Sequence, residues 1–251
     1  MDTQKSSPST YQTPAGSRAY LDFIEGEDGQ IHRQIIGQAV LRGLNTSGLT
    51  VLDAACGSGW LTETLAQNGH LATGMDSSQA LIDYAKKKYP ARAFTVSDIT
   101  EQINQPEIFF DAAILSCASL DISNLEKAYE NIFKVLKQNG RFISIIVNPY
   151  YASPVGKWKR GIKKLFGGKP RLELSDYGQM AKNKNREFAD GIKNNTSYLY
   201  TLPEQINFAV GAGFSLTRLE DILSEADSKR FNLLYRLFRF PLYILCEFKK
   251  A

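Results

Sequence analysis

The chain has 251 residues, of which 43% are hydrophobic and 22% are charged, and its formal net charge at pH 7 is +4. This length suits one sizeable globular domain, and so mild a positive charge argues against a dedicated nucleic-acid binder. Three widely separated cysteines and two histidines argue against a disulfide framework and a metal site, and favour the reducing cytoplasm. No run of about 18 uncharged apolar residues occurs, so no membrane span is expected.

The predicted elements begin after a polar stretch. Residues 1–16 are rich in Ser, Thr, Pro and Gly and lack the apolar core of a signal peptide, so we interpret them as a disordered tail before one domain over residues 17–251. From Arg18 to Leu44, apolar residues recur at the spacing of one helix face and predict a helix. Thr50 to Ala54 then has the pattern of a buried parallel strand.

Strands and helices alternate after this strand. The turn CGSG leads into a helix from Trp60 to Asn68, and further helices are predicted from Ser77 or Ser78 to Lys88 and from Asn124 to Gln138. The intervening strands are predicted in HLATGMD, ARAFTVSD, FFDAAILSCASL and GRFISIIVN. Such alternation predicts a parallel sheet with helices on both faces.

The pattern dissolves over residues 149–203, which are rich in Gly, Lys, Asn and Tyr. We interpret this segment as a substrate-cap insertion, because so long a connection inside a compact domain is usually functional. A helix from Pro203 to Val210, the strand GFSLTRLED and the alternating strand PLYILCEFKK complete the chain.

The turn CGSG differs from the dinucleotide-binding pattern Gly-x-Gly-x-x-Gly, because Thr62 occupies the place of the third glycine. Asp53, at the tip of the first strand, would repel a pyrophosphate at the following helix terminus and suits a positively charged ligand. S-adenosylmethionine carries a sulfonium and an ammonium but no phosphate. The electrostatics therefore favour this methyl donor over NAD.

Polar residues also end the next strands. Asp76 can accept hydrogen bonds from both hydroxyls of a ribose, and Asp98 can accept one from an adenine amino group, with Ile99 beside the ring. Ser116 ends the fourth strand, in the switch region where ligands of open α/β sheets sit.

Taken in order, VLDAACGSGWLTETLA, GMDSS, VSDIT, FDAAILSCASLD and LKQNGRFISI resemble the motifs of class I S-adenosylmethionine-dependent methyltransferases, and small-molecule members most closely. The resemblance extends over about Arg18 to Val147. It implies a Rossmann-like, doubly wound, mostly parallel seven-stranded sheet with an antiparallel last strand and a helical cap insertion after the fifth strand. It also implies which residues contact the cofactor: Asp53, Ala55, Gly57 and Gly59 at the methionine end, Asp76 and Ser77 at the ribose, Asp98 and Ile99 at the adenine, with Tyr20 and Arg33 closing over the carboxylate.

Each of these residues has an ordinary structural alternative. Ala55 stands where the family more often has its first glycine, and the two glycines of CGSG suit any tight turn between a strand and a helix. Asp76 is also a candidate helix N-cap, and Asp98 a candidate turn residue. Cys56 and Cys117 are interpreted as packing residues, and His70 as structural.

Methyl transfer from a sulfonium requires alignment and exclusion of water, and a base only where the acceptor must lose a proton. Candidate bases are His32, Asp121 and the tyrosines Tyr150, Tyr151, Tyr177, Tyr198 and Tyr200. The alternatives are an exposed helix position for His32 and a helix cap for Asp121. We expect that none is indispensable and that the tyrosines shape an apolar pocket.

The stretch Asn148-Pro149-Tyr150-Tyr151 resembles the Asn-Pro-Pro-Tyr signature of nucleic-acid amino-methyltransferases. In those enzymes the signature follows the fourth strand, whereas here it follows the fifth, so we expect no DNA partner and interpret Tyr150 and Tyr151 as pocket walls. The basic amphipathic segment 157–171 fits a helix that acts as a lid, docks on anionic membrane or binds RNA.

The sequence thus predicts a methyltransferase that acts on a small molecule, a hydrophobic one if the segment docks on membrane, with oxygen or carbon favoured as the acceptor atom. The alternatives are an RNA-modifying methyltransferase and a non-catalytic cofactor-binding subunit.

Overall fold

The computed structural model describes residues 10–101, 103, 109–150, 156–159, 171–174, 184–186, 195–222 and 241–250. Among these residues, no helix has the length and apolar character needed to cross a membrane.

A seven-stranded sheet forms the centre of the fold. Its strands, in the order in which they lie side by side, are β10 (Phe214–Ile222), β11 (Tyr243–Lys250), β5 (Leu136–Val147), β4 (Phe110–Ser116), β1 (Thr50–Ala54), β2 (Leu71–Asp76) and β3 (Ala93–Val96). Only β11 runs antiparallel to its neighbours in this sheet. The predicted Rossmann-like sheet with an antiparallel last strand is therefore confirmed.

Six helices accompany the sheet in the described part of the chain: α1 (Pro14–Glu25), α2 (Glu27–Leu44), α3 (Trp60–Gln67), α4 (Gln79–Lys88), α5 (Leu125–Val135) and α6 (Leu202–Gly211). Side chains fix where several of them begin. Ser78 caps α4 by accepting from the Leu81 amide, and Asn124 caps α5 by accepting from the Lys127 amide.

The core lies on both faces of the sheet because side chains alternate along each strand. Along β5, Phe142 and Ile146 pack in the layer with α5 and α6, whereas Ile143 and Ile145 pack in the layer with α2 and α3. Helices on both faces leave the carboxyl edge of the parallel strands as the natural place for a ligand.

The N-terminal segment corrects two predictions. The tail was expected to reach Gly16, but Thr10–Gln12 form a 3-10 turn and α1 begins at Pro14, with the Thr13 side chain accepting from the Gly16 amide at 3.1 Å. The single helix expected over residues 18–44 is divided at Gly26 into α1 and α2. The end of α1 lies so close to α2 that a Cβ on Gly29 would stand 2.3 Å from the Phe23 carbonyl oxygen.

The described part of the 149–203 insertion contains two pairs of short strands: β6 (Gly156–Lys159) pairs with β7 (Arg171–Leu174), and β8 (Lys184–Arg186) with β9 (Asn195–Ser197). The amphipathic helix expected over 157–171 is therefore wrong for residues 157–159. The rest of that segment up to residue 170 lies outside the described residues, as do Tyr151 and Tyr177.

Candidate active site

A cavity of about 340 Å³ opens along the carboxyl edge of the sheet. Residues at or just after the ends of β1, β2, β3, β4 and β5 line it. The antiparallel β11 contributes its first residue, because Tyr243 pairs with Val147 at the end of β5. Of the predicted site residues, the cavity is lined by Tyr20, His32, Asp53, Ala55, Gly57, Asp76, Ser77, Asp98, Ile99, Ser116 and Asp121.

The glycine turn between β1 and α3 uses its two glycines differently. Gly57 has a φ of 55° and lines the cavity, and a Cβ there would stand 2.5 Å from the Tyr20 hydroxyl oxygen. Gly59 has a φ of 76° and does not line the cavity; a Cβ on it would stand 2.7 Å from the Phe94 ring. The contact of Gly59 with the methionine end stays a prediction, and in this structure Gly59 lets the turn pack against Phe94 of β3.

Ala55 lines the cavity with a φ of 56°, in the left-handed region that favours glycine. This conformation explains why glycine suits the position. Cys117, just after β4, has a φ of 57° and also lines the cavity.

Asp53 is a buried carboxyl at the floor of the cavity. Its Oδ2 accepts a hydrogen bond from the Thr62 hydroxyl at 2.6 Å. Burial raises the pKa of Asp53 to about 7, although the Thr62 bond acts in the opposite direction. A cationic group beside Asp53 would compensate for the burial of its charge.

Asp76 joins the end of β2 to two neighbouring elements. Its Oδ2 accepts from the Gly57 amide at 2.9 Å and its Oδ1 from the Ser78 amide at 2.8 Å. Burial raises the pKa of Asp76. Since Ser78 is the cap of α4, the helix-cap alternative for Asp76 is wrong; its carboxylate lies in the cavity wall beside Ser77.

Asp98 forms the turn after β3. Its Oδ1 accepts from the amide and the hydroxyl of Thr100, each at 2.8 Å, so the turn alternative is correct and compatible with its place on the cavity. The buried Asn131 of α5 holds this turn by donating to the carbonyls of Ile99 and Glu101, at 3.0 and 2.6 Å.

The N-terminal segment covers part of the cavity. The Tyr11 carbonyl accepts hydrogen bonds from the hydroxyls of Ser17 and Ser78. Because Ser78 caps α4, the second bond holds the N-terminal segment against the start of that helix. Tyr11 and Tyr20 contact each other edge to face, with ring centroids 5.6 Å apart, and both line the cavity. Burial of the Tyr20 hydroxyl raises its pKa.

Arg33 does not line the cavity. Its guanidinium donates to the Ile24 carbonyl at 2.7 Å and to Glu25 at 3.2 Å. Its closing over the cofactor carboxylate stays a prediction, and in this structure Arg33 binds the junction between α1 and α2.

His32 faces the cavity from α2, so the exposed alternative is wrong for this residue. Its Nδ1 is 2.7 Å from the Tyr243 hydroxyl oxygen, and the rings of Phe23, Trp60 and Tyr243 contact the imidazole edge to face. Burial, followed by the charge of the neighbouring Arg33, lowers the pKa of His32 to about 4. The imidazole is therefore uncharged at neutral pH.

The remaining base candidates lie in different places. Asp121 and Tyr198 line the cavity, and Asp121 is not the cap of α5, since Asn124 is. Tyr200 is buried and its hydroxyl donates to the Ser123 carbonyl at 2.7 Å. Tyr150 lines a separate recess with Leu219 and Pro241, and its role as a wall of the substrate pocket stays a prediction.

Several lining residues were missed, among them Tyr11, Phe23, Trp60, Leu242 and Tyr243. Tyr243 could have been found, because an antiparallel last strand begins at the edge where parallel strands end. Cys56 and Cys117 line the cavity too, but burial raises the pKa of the Cys56 thiol well above its usual value, which opposes a nucleophilic role.

Residues 52–144 match a family model described as a methyltransferase domain. A Bacillus subtilis protein named as an uncharacterized methyltransferase, YbaJ, is 25% identical over 177 residues, which are 68% of this chain and 67% of the relative. A ubiquinone biosynthesis O-methyltransferase of Coxiella burnetii is 30% identical over 111 residues, which are 42% of this chain and 46% of the relative.

A solved S-adenosylmethionine-dependent methyltransferase from Mesorhizobium loti matches 84% of this chain and 96% of its own, with a TM-score of 0.70 and 19% sequence identity. This likeness is one of fold. Several curated relatives are matched over less than half of their own length, so the chain spans only part of what they contain. Residues 52–144 thus match a methyltransferase domain, and the sheet built around them has the fold of a solved S-adenosylmethionine-dependent methyltransferase.

Proposed function

We propose that this protein transfers a methyl group from S-adenosylmethionine to a small molecule held in the cavity at the carboxyl edge of the sheet. The observation that carries this proposal is the meeting of Asp53, Asp76 and Asp98 on one cavity, from three adjacent strands. Among the described lining residues there is no Lys or Arg. Such a wall suits a cationic ligand and opposes a phosphate-bearing one.

The cavity residues fit the donor on chemical grounds. Asp53 would hold its ammonium, since a buried carboxyl with a raised pKa gains most from a neighbouring cation. Asp76 would accept from the ribose hydroxyls, because the amides that bind its oxygens leave lone pairs available. When bound, S-adenosylmethionine supplies a methyl group already activated by the sulfonium.

The sheet divides the cavity into two parts. The three carboxylates lie over β1, β2 and β3, and we name this part the donor half. The acceptor half lies over β4, β5 and β11, where Ser116, Val147 and Tyr243 reach the cavity. Neighbouring strands are about 4.8 Å apart, so the three strands of the acceptor half span an edge of roughly 10 Å beside the donor half.

A small acceptor is supported by the size of the cavity, which falls in the range of small-ligand pockets. Rings and apolar side chains in the acceptor half exclude water and align the acceptor for an in-line displacement. An oxygen or carbon acceptor atom fits this apolar wall.

Titration calorimetry with S-adenosylmethionine and with its demethylated product tests the donor site. We expect both to bind, and Asp76→Asn to weaken binding at least about tenfold, since a charged hydrogen-bond acceptor is lost. Asp83→Asn, an exposed position on α4 that accepts from Gln79, is the matched control and should bind as the wild type does. Absence of binding to the wild-type chain would refute the proposal.

Transfer itself is tested by incubating the protein with donor labelled in its methyl group and, in parallel reactions, with a small-molecule extract or with total RNA, followed by mass spectrometry. Label in a small molecule supports the proposal. Label in RNA alone would instead support an RNA-modifying enzyme, and binding without any transfer would support a non-catalytic subunit.

A further inference from the structure

Four aromatic rings line the cavity beside the acceptor half, and the donor motifs do not account for them. His32 lies at the centre of this group, and its ring centroid is 5.9 Å from that of Phe23, 6.2 Å from that of Trp60 and 5.3 Å from that of Tyr243. All four residues line the cavity, and we name them the ring wall. Each neighbour meets the imidazole edge to face, which fixes the ring planes.

The ring wall suits a positively charged group. The face of an aromatic ring attracts a cation that lies within about 6 Å of the ring centroid, and the attraction is stronger where water is excluded. Indole attracts cations best among the aromatic side chains, and Trp60 is only 6% exposed. The His32 imidazole is uncharged at neutral pH, so it adds aromatic surface without a repelling charge.

The charges on the cavity favour the same kind of ligand. Among the lining residues that the structure describes there is no Lys or Arg, whereas four carboxyl groups line the cavity, those of Asp53, Asp76, Asp98 and Asp121. The donor has two positive groups and one carboxylate, so its single net positive charge leaves part of the negative charge uncompensated. A second cation would compensate more of it, and an anion would add to the repulsion.

One of the four carboxyls comes from the acceptor half. Asp121 ends the 3-10 turn Ser119–Asp121, which follows β4, whereas the other three carboxyls lie over the donor half. A cation must find new partners for the water that it loses on burial. In the acceptor half it would have both ring faces and a carboxyl as partners.

We infer that the methyl acceptor is an organic cation, and that its cationic group binds in the acceptor half against the ring wall. The inference rests on the proposed methyl transfer and names its substrate class. The methyl group goes to another atom of the same molecule, because a protonated or fully substituted nitrogen has no lone pair with which to attack the donor. That atom bonds to the methyl carbon as the carbon–sulfur bond breaks, and the electron pair of the broken bond stays on sulfur.

The test uses three probes of similar shape and different charge: choline, a cation; 3,3-dimethyl-1-butanol, its uncharged isostere; and 3,3-dimethylbutanoate, an anion. Each is titrated at pH 7 by ligand-detected NMR into the protein saturated with the demethylated donor, so that the donor half is occupied. We expect choline to bind at least about tenfold more tightly than the alcohol, and the anion to bind more weakly than both. Equal binding of choline and the alcohol, or no binding of choline, would overturn the inference.

Two variants assign the preference to the rings and to the charge. Phe23→Leu removes one ring and keeps an apolar side chain, so it should weaken choline about threefold and change the alcohol less than about twofold. Asp121→Asn keeps the size of the side chain and removes its charge, so it should weaken choline at least about fivefold and leave the alcohol unchanged. If both variants weaken choline and the alcohol equally, they report packing and not charge, and the inference is wrong.

Phe109→Leu and Asp83→Asn are the matched controls. Neither residue is among those that line the cavity, Phe109 is 41% exposed, and Asp83 lies at the surface of α4. Both variants should bind every probe as the wild type does. Calorimetry with the donor keeps the two proposals apart: failure of the donor to bind refutes the proposed function, whereas donor binding without a preference for choline over the alcohol refutes only the acceptor class.

Discussion

At the scale of single residues, Asp53 shows how position gives an ordinary side chain an unusual property. The same carboxyl at the surface would titrate near its normal value, but here burial raises its pKa to about 7. A residue that is half protonated near neutrality responds to any charge placed beside it.

This property makes donor binding depend on pH. If Asp53 holds the donor ammonium as proposed, only its ionised form attracts that group, so affinity should rise about fivefold from pH 6 to pH 7, a range in which the α-amino group stays protonated. Binding should also release a proton, which calorimetry in two buffers of different ionisation heat would detect. Asp53→Asn should bind more weakly and show no such dependence. A wild-type affinity that is equal at both pH values would contradict this assignment.

Gly57 and Gly48 allow backbone strain to be separated from crowding. Both have left-handed φ angles, 55° and 78°, but a Cβ on Gly48 would meet nothing within 4 Å, whereas one on Gly57 would meet the Tyr20 hydroxyl. We expect Gly48→Ala to lower the free energy of unfolding by about 1 kcal/mol, and Gly57→Ala by about 3 kcal/mol with loss of donor binding. Denaturant unfolding and calorimetry measure both. Equal effects of the two substitutions would exclude a role for Tyr20.

Residues of the donor half were predictable because motif and strand end coincide in the sequence. Asp53, Asp76 and Asp98 each follow an apolar run, and the fold brings the ends of those runs to one edge. The particular bonds were not predictable. Nothing in the spacing indicates that Asp76 accepts from the Gly57 amide, or that Gly59 packs against the Phe94 ring.

At the scale of elements, α5 supports the donor half without touching it. Its buried Asn131 donates two hydrogen bonds to carbonyls in the turn after β3, and that turn carries Asp98 and Ile99 to the cavity. A helix on one face of the sheet thereby sets the shape of the cavity where the turn after β3 lines it.

Asn131→Ala should lower the free energy of unfolding by about 1–3 kcal/mol, since the carbonyls of Ile99 and Glu101 lose their donor, and should weaken donor binding through the displaced turn. Asn68→Ala removes an amide that bonds the Thr64 carbonyl at an exposed helix end, and should change neither quantity by more than about 0.5 kcal/mol. Chemical denaturation with parallel calorimetry gives both values. Normal donor affinity in Asn131→Ala would show that α5 does not shape the site.

Element boundaries were harder to predict than element types. Thr13 and Pro14 carry a helix-start signal, yet the polar composition around them suggested a tail, because the tertiary bonds of Tyr11 to Ser17 and Ser78 have no local signature. The strand at residues 156–159 was mistaken for helix for a related reason. Its pairing partner, β7, lies more than ten residues away, and a helical spacing of apolar residues does not report such pairing.

At the scale of the whole molecule, His32 and Asp53 affect stability in opposite directions. Below pH 6.5 the unfolded chain protonates its histidine while the folded His32, with a pKa of about 4, does not, so stability falls as pH decreases through that window. As pH decreases, the folded Asp53 binds its proton near pH 7, well before the unfolded chain does. Its contribution to stability therefore increases as pH decreases over nearly the same range. The contributions of His32 and Asp53 therefore largely cancel in the wild-type curve of stability against pH.

The difference in unfolding free energy between the wild type and His32→Phe isolates the contribution of His32. From pH 7 to pH 4.5 the wild type should lose up to about 3 kcal/mol relative to the variant, the value that the shift of the His32 pKa implies. Urea unfolding at several pH values measures this quantity. If the two curves stay parallel, the imidazole is not held uncharged in the folded protein.

The two halves of the cavity also differ in the length of chain from which their residues come. This difference predicts an order in which the two halves fold. The donor half draws its carboxylates from one continuous part of the chain, Asp53 to Asp98, whereas the acceptor half needs Tyr243 paired beside Val147. Pairing β11 with β5 closes a long loop, and the entropy lost in closing it makes this step slower than the pairing of strands that are near in sequence.

Pulsed hydrogen exchange during refolding should therefore show amide protection in β1 and β2 before β11; simultaneous protection would argue against this order. During synthesis, β11 is also made long after β1 to β3. A growing chain can thus acquire affinity for the donor before it has the wall that selects an acceptor.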